Sequence, residues 1–339
     1  LGMSIPFSFE NRIEKNENTF TILAHIILRT IALIVMGLFH MNMEMYNHET
    51  SYLSKPIYVI ISTIAFFMIW NMYPIKIGKR LEIGFKSFRL LGVIILLIMF
   101  FLFSGKDYEG NKIGFVIHWW GILGLIGWVY LIAASAFLLI RNSILGAVIA
   151  FLISVGLNII SSSGIPYNIF SWQSEHWLPG NGGLHALAFG GIIVSLLLKQ
   201  NTFGKSIKNL YLTLFSFGII LLVSGFFLRN YFVLNKNLGT PTWVMISLST
   251  AIFFFMCIHW ISDVKKIVSW YKYIKIAGTA TLTCYLIPYI FYSFRTISGI
   301  ILPEFFRTGL IGLVKSFFYS IIIVSICWGL KKIKIQLQI

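Results

Sequence analysis

Ten mostly apolar runs, each sixteen to twenty-four residues long and separated by short polar loops, constrain what this chain can fold into. A helix rises 1.5 Å per residue, so roughly twenty apolar residues cross a hydrocarbon layer about 30 Å thick. The runs lack the alternation over about ten residues that marks the strands of a membrane barrel. The expectation is an all-α polytopic transmembrane helix bundle. Its spans fall at about 19–41, 56–73, 88–103, 117–140, 144–161, 182–199, 209–228, 241–260, 273–294 and 309–329. Composition agrees: 11% of residues are charged, against about 25% in soluble domains. Much of the surface must therefore face lipid. The longest loop, about 162–181, is too short to hold a soluble domain, so 1–339 reads as one integral-membrane domain.

The net charge of +16 is explained by orientation and not by nucleic acid, which is not an expected partner. If the N-terminal polar segment is cytoplasmic and the spans alternate, 18 Lys and Arg fall in inside segments and 7 in outside loops. That asymmetry places both ends of the chain on the cytoplasmic side of an inner membrane. The run Lys331-Lys332-Ile333-Lys334 after the last span fits. Cys257, Cys284 and Cys327 show no CxxC or Cys/His spacing, so neither disulfides nor a metal site is expected. The opening Leu1-Gly2-Met3-Ser4-Ile5-Pro6 reads as the tail of a helix that starts before residue 1, with no signal-peptide pattern.

Polar groups near membrane depth are costly and each needs a reason. Most of them gather at the outer ends of the spans. His40, Asn42 and Glu44 end the first, and His118 opens the fourth. Asn158 and Ser161 to Ser163 end the fifth, with Glu175, His176 and Asn181 in the long loop after it. His185 lies just inside the sixth, and Asn235, Lys236 and Thr240 precede the eighth. If these groups meet, they line an outward-facing cavity in which histidine moves protons. Loop ends are also where polar residues cost least, so a purely interfacial role stays open. Arg29 lies about ten residues deep, too far to reach the interface easily. It should face the bundle interior, tying helices together or binding an anionic ligand group. His25 shares its face, four residues away, and His40 returns to nearly the same face.

Glycines form a further pattern. Gly121, Gly124 and Gly127 recur every three residues, and Gly180, Gly182, Gly183, Gly190 and Gly191 mark the sixth span. Close helix packing is their default role, and a helix start rich in amides could also hold a phosphate. Pro288 is expected to bend the ninth span.

Several segments resemble one family in order along nearly the whole chain. They are LGMSIPFSFENR (1–12), HIILRTIALIVMGLFHMN (25–42), HWWGILGLIGWVYLIAA (118–134) and LPGNGGLHALAFGGIIVSLLL (178–198). LNKNLGTPTWVMIS (234–247) and WISDVKKIVSWYKYIKIAGTATLTCYLIPYIFYS (260–293) follow. This order resembles the heparan-α-glucosaminide N-acetyltransferase-like family of transmembrane acyltransferases, in its Bacteroidetes-type branch. The resemblance implies transfer of an acetyl group from acetyl-CoA to an amino sugar or glycan acceptor at the outer face of the lipid bilayer. A second copy of the chain is a candidate partner in a homodimer. The family's usual acetyl-carrying histidine lies in a segment before residue 1, so its role passes to no residue here. His118 and His185 are the catalytic candidates that remain. Arg29, His40, Asn158, Glu175, His176, Asn181, Asn235 and Lys236 are the candidate substrate-binding residues, and no metal is implied. The alternatives are a sugar transporter or permease without chemistry, and an inactive, truncated family member.

Overall fold

The computed structural model describes residues 1–74, 78–107, 109–118, 121–165, 180–202 and 206–339. They fold as an all-α assembly whose only strands form one two-residue hairpin. The helices are α1 (Ile5–Glu14), α2 (Thr19–Glu44), α3 (Lys55–Trp70), α4 (Lys79–Leu102), α5 (Ile122–Ile140) and α6 (Ile144–Ser162). They continue with α7 (Gly183–Thr202), α8 (Ile207–Leu228), α9 (Pro241–His259), α10 (Lys275–Thr279), α11 (Thr281–Ile297) and α12 (Gly309–Lys332). Among the described residues, eight are long and apolar enough to cross a membrane, and α3 is an apolar helix of 16 residues. Large apolar side chains such as Phe101, Leu139, Leu145, Ile220 and Phe317 are exposed along these helices. Water would penalise such a surface and hydrocarbon does not. The chain is a multi-pass membrane protein.

Two spans differ most from the hydropathy reading. The third is a longer helix than 88–103, because α4 begins at Lys79. Its first turns are polar, and Glu82 and Lys86 pair at 2.8 Å on an exposed face. A hydropathy window registers burial in lipid and misses a helix that continues into the interface. The ninth, expected at 273–294, is broken. Ala280 leaves helical geometry between α10 and α11. The Thr279 and Thr281 hydroxyls donate to carbonyls three and four residues back, a competition that weakens a helix locally. Helix α11 then runs through Pro288.

The helices sort into two compact units, residues 1–38 with 118–267, and 39–117 with 268–339. The first unit is built around α7, which packs on α1, α5, α6, α8 and α9. Of its most apolar window 61% is buried, more than in any other described span. Small side chains make that central position accessible: Ala186 and Ala188 are buried, and Ser195 donates to the Met3 carbonyl at 2.7 Å. Phe9, Ile26, Phe137, Phe151, Ile192, Leu214 and Leu248 fill the core around it.

In the second unit α3 packs on α4 and α11. The fully buried Tyr58 donates to the Met99 carbonyl at 3.0 Å, which ties α3 to α4 without an unpaired hydroxyl. The C-terminal tail is stitched to the end of α3. Asn71 accepts from the Gln336 amide at 2.8 Å, and the Gln338 amide donates to the Trp70 carbonyl at 2.9 Å. Cys284 of α11 packs into the apolar cluster that holds the buried Cys327 of α12, a meeting that their spacing of 43 positions could not announce.

The fully buried Asn42 brackets Val116 with both ends of its amide. It donates to the carbonyl at 2.8 Å and accepts from the amide at 2.9 Å. Asn42→Asp keeps the acceptor and has no donor once ionised. At a pH where the carboxyl is ionised it should lower unfolding stability by at least about 1–3 kcal/mol, the usual cost of one buried carbonyl left unpaired. The unfolding midpoint in detergent measures this, and an unchanged midpoint would contradict the bracket.

Candidate functional site

The polar residues of the first unit converge where α6 ends and α7 and α9 begin. Asn158, 1% exposed on α6, donates from its amide nitrogen to the Asn181 carbonyl at 3.2 Å and the Gly239 carbonyl at 2.9 Å. Asn181 in turn donates to the Leu238 carbonyl at 3.1 Å and accepts from the Gly183 amide at 2.9 Å. Two asparagines thus satisfy backbone groups that the turns before α7 and α9 would otherwise leave bare.

The chain enters α7 through Gly182, with φ at +81°, a conformation that carries little penalty only for glycine. A Cβ there would lie 2.3 Å from the Ser154 carbonyl oxygen, and one on Gly183 would lie 2.7 Å from that of Gly239. The glycine pattern therefore serves close backbone approach.

Asn235 organises the loop before α9. Its side-chain oxygen accepts from the Asn237 amide at 2.8 Å and the Leu238 amide at 3.1 Å. Thr240 precedes Pro241 at the start of α9 and donates to the Val233 carbonyl at 2.7 Å. Local geometry explains these residues fully: an asparagine turn, then a helix start in which proline has no amide to satisfy. Lys236 is exposed, and its backbone carbonyl accepts from the Gly239 amide.

His185 stands three residues past Gly182 on α7 and is 5% exposed. Its Nε2 and the Oδ1 of Asn158 are buried and have no hydrogen-bond partner among the described residues. A buried ring nitrogen without a partner is costly unless it serves a ligand or a water. His118, also buried, lies just before α5, which begins at Ile122 and not at 117. Burial lowers its pKa from the ordinary histidine value, so the neutral ring is favoured.

Arg29 places its guanidinium 4.6 Å from the centre of the Tyr130 ring of α5. Its Nε has no hydrogen-bond partner and it makes no ion pair among the described residues. The deep arginine is thus held by a cation–π contact, which is stronger in a poorly solvated place. His40 belongs to the second unit. Its ring stacks on Tyr289 at 4.2 Å with planes 4° apart, and neither ring nitrogen has a partner among the described residues. The Tyr289 and Tyr285 hydroxyls are 3.1 Å apart.

Of the ten candidate residues, Asn158, Asn181, Asn235, Lys236 and His185 lie at one end of the first unit. Arg29 and His118 belong to that unit as well, and His40 belongs to the other. Glu175 and His176 lie outside the described residues. Reading the sequence missed Tyr130, Tyr285 and Tyr289. The four-residue spacing of the two tyrosines could have placed them on one helix face, yet nothing local paired them with His40.

The fold and its buried polar residues define a multi-pass α-helical membrane protein whose first unit carries an asparagine-built helix junction next to a buried histidine. No family model, curated protein or solved structure matches the chain.

Proposed function

We propose that this protein is a membrane-embedded acyltransferase, moving an acetyl group from acetyl-CoA to the amine of an amino sugar or another glycan. The basic-residue asymmetry orients it with both ends of the chain on the cytoplasmic side of an inner membrane. The observation that carries the reading is His185: buried, with a ring nitrogen lacking a partner among the described residues, within the segment that resembles the family's glycine/histidine helix start. A neutral imidazole there is a general base. The acceptor amine attacks the thioester carbonyl, a C–N bond forms as the C–S bond breaks, and His185 takes the proton that the amine sheds. The CoA thiolate leaves and is then protonated. Asn158 and Asn181 fix the helix start that carries the base, as positioning residues.

The test uses the purified protein in lipid nanodiscs with radiolabelled acetyl-CoA and glucosamine. Labelled N-acetylglucosamine is expected, and His185→Ala should lower the rate about a hundredfold, the usual contribution of a general base. The unfolding midpoint of that variant should stay near that of the parent. A folded protein that neither binds acetyl-CoA by calorimetry nor transfers label overturns the reading. Sugar uptake into proteoliposomes without acetylation would identify a permease instead.

A further inference from the structure

The far end of the first unit, at the opposite helix termini from the asparagine junction, holds a cavity of about 510 Å³. That is within the range of small-molecule sites. Its apolar wall comes from Phe9, Ile13, Ile22 and Phe137. Its polar groups sort themselves by pairing. Glu10 and Glu17 also line it, but Lys199 holds Glu10 at 2.9 Å and Arg12 holds Glu17 at 2.6 Å. Glu14 and Arg141 remain, one of each sign, neither in an ion pair among the described residues. Besides the paired charges and the neutral Thr19 and Asn142, the cavity therefore offers one carboxylate, one guanidinium and an apolar wall.

Its depth limits the occupant further. It sits where α2 starts and where α5 and α7 end, hence at the level of the lipid headgroups. Arg141 closes α5 with φ at +51° and ψ at −128°, a conformation that only glycine adopts without strain.

We infer that this cavity binds the headgroup of an amine-bearing phospholipid, its phosphate on Arg141 and its primary ammonium on Glu14. Arginine meets a phosphate with two parallel N–H donors. A primary ammonium donates hydrogen bonds to a carboxylate, which a quaternary ammonium cannot do. The apolar wall takes the first part of an acyl chain. The one carboxylate left unpaired, Glu14, and the one guanidinium, Arg141, suit a ligand with one ammonium and one phosphate better than the several phosphates of acetyl-CoA, so this site is distinct from the donor site of the acyl-transfer reading and does not depend on it.

The experiment measures binding of phosphatidylethanolamine, phosphatidylcholine, phosphatidylglycerol and soluble phosphoethanolamine to the delipidated protein in detergent, by native mass spectrometry and thermal shift. Phosphatidylethanolamine should bind at least about tenfold more tightly than the other three. Arg141→Gly should weaken it about tenfold or more, while leaving the unfolding midpoint equal or higher, because glycine relieves the strained φ. Glu14→Gln should remove the preference over phosphatidylglycerol. Equal binding of phosphatidylglycerol or phosphatidylcholine overturns the proposal, as does unchanged binding by both variants. Phosphoethanolamine binding as tightly as the lipid assigns the cavity to a soluble zwitterion instead. Displacement of the lipid by acetyl-CoA assigns it to the acyl donor.

Discussion

Gly182→Ala is expected to cost the folded protein roughly 2–5 kcal/mol. Two effects add. The backbone at φ +81° is a left-handed conformation that strains an alanine by about 1–2 kcal/mol. The new Cβ would then lie 2.3 Å from the Ser154 carbonyl oxygen, a backbone atom that moves only if α6 moves. Overpacking of that kind typically costs about 1–3 kcal/mol. Because α7 is the central helix of its unit, the displacement would propagate to the asparagine junction. Gly156→Ala is the internal control: it lies on α6, nothing stands within 4 Å of its added Cβ, and its φ is ordinary. That change should be neutral or stabilising by up to about 1 kcal/mol. Denaturant unfolding of both variants in the same detergent gives the comparison. Equal midpoints for the two would show that α6 and α7 do not approach as closely as described.

Asn158→Leu comes next, at about 2–6 kcal/mol. The leucine fills nearly the same volume, so packing changes little. The loss is electrical: the Asn181 and Gly239 carbonyls lose their donor in a buried place, at about 1–3 kcal/mol for each group. Asn158→Asp adds a test of sign. A protonated acid still donates one hydrogen bond, whereas a carboxylate opposes two carbonyl oxygens. This variant should be most stable at low pH, where the acid is protonated, and should lose stability as rising pH ionises it. A stability that rises with pH in that window would refute the donor role given to Asn158.

These predictions show where the sequence was legible. The transmembrane runs could be read because burial in lipid is a sum over neighbouring residues, and a window of about twenty contains it. Where that sum is not the deciding quantity, the reading failed. Helix α4 starts at Lys79 because intrahelical hydrogen bonds and a Glu82–Lys86 pair support polar turns beyond the apolar run. The ninth span breaks at Ala280 although 273–294 is apolar enough to suggest one helix.

The polar groups divide the same way. Asn158, Asn181, Asn235 and His185 stood out because such residues are rare near membrane depth. Their roles did not. Asn235 shapes a turn, Asn158 and Asn181 satisfy backbone carbonyls, and His185 keeps a buried nitrogen without a partner among the described residues. Arg29 was expected to tie helices together or to bind an anionic group, and it lies over the Tyr130 ring of a neighbouring helix.

The sequence by itself determined that this chain is a multi-pass membrane protein and which residues are too polar to be in a membrane without a reason. Hydrophobicity is local and additive, so order along the chain is enough for that. Only the tertiary structure decided which of those residues meet. Asn158 finds its acceptors 23 and 81 positions away, and a hydrogen bond depends on distance and direction in space, which spacing along the chain does not encode.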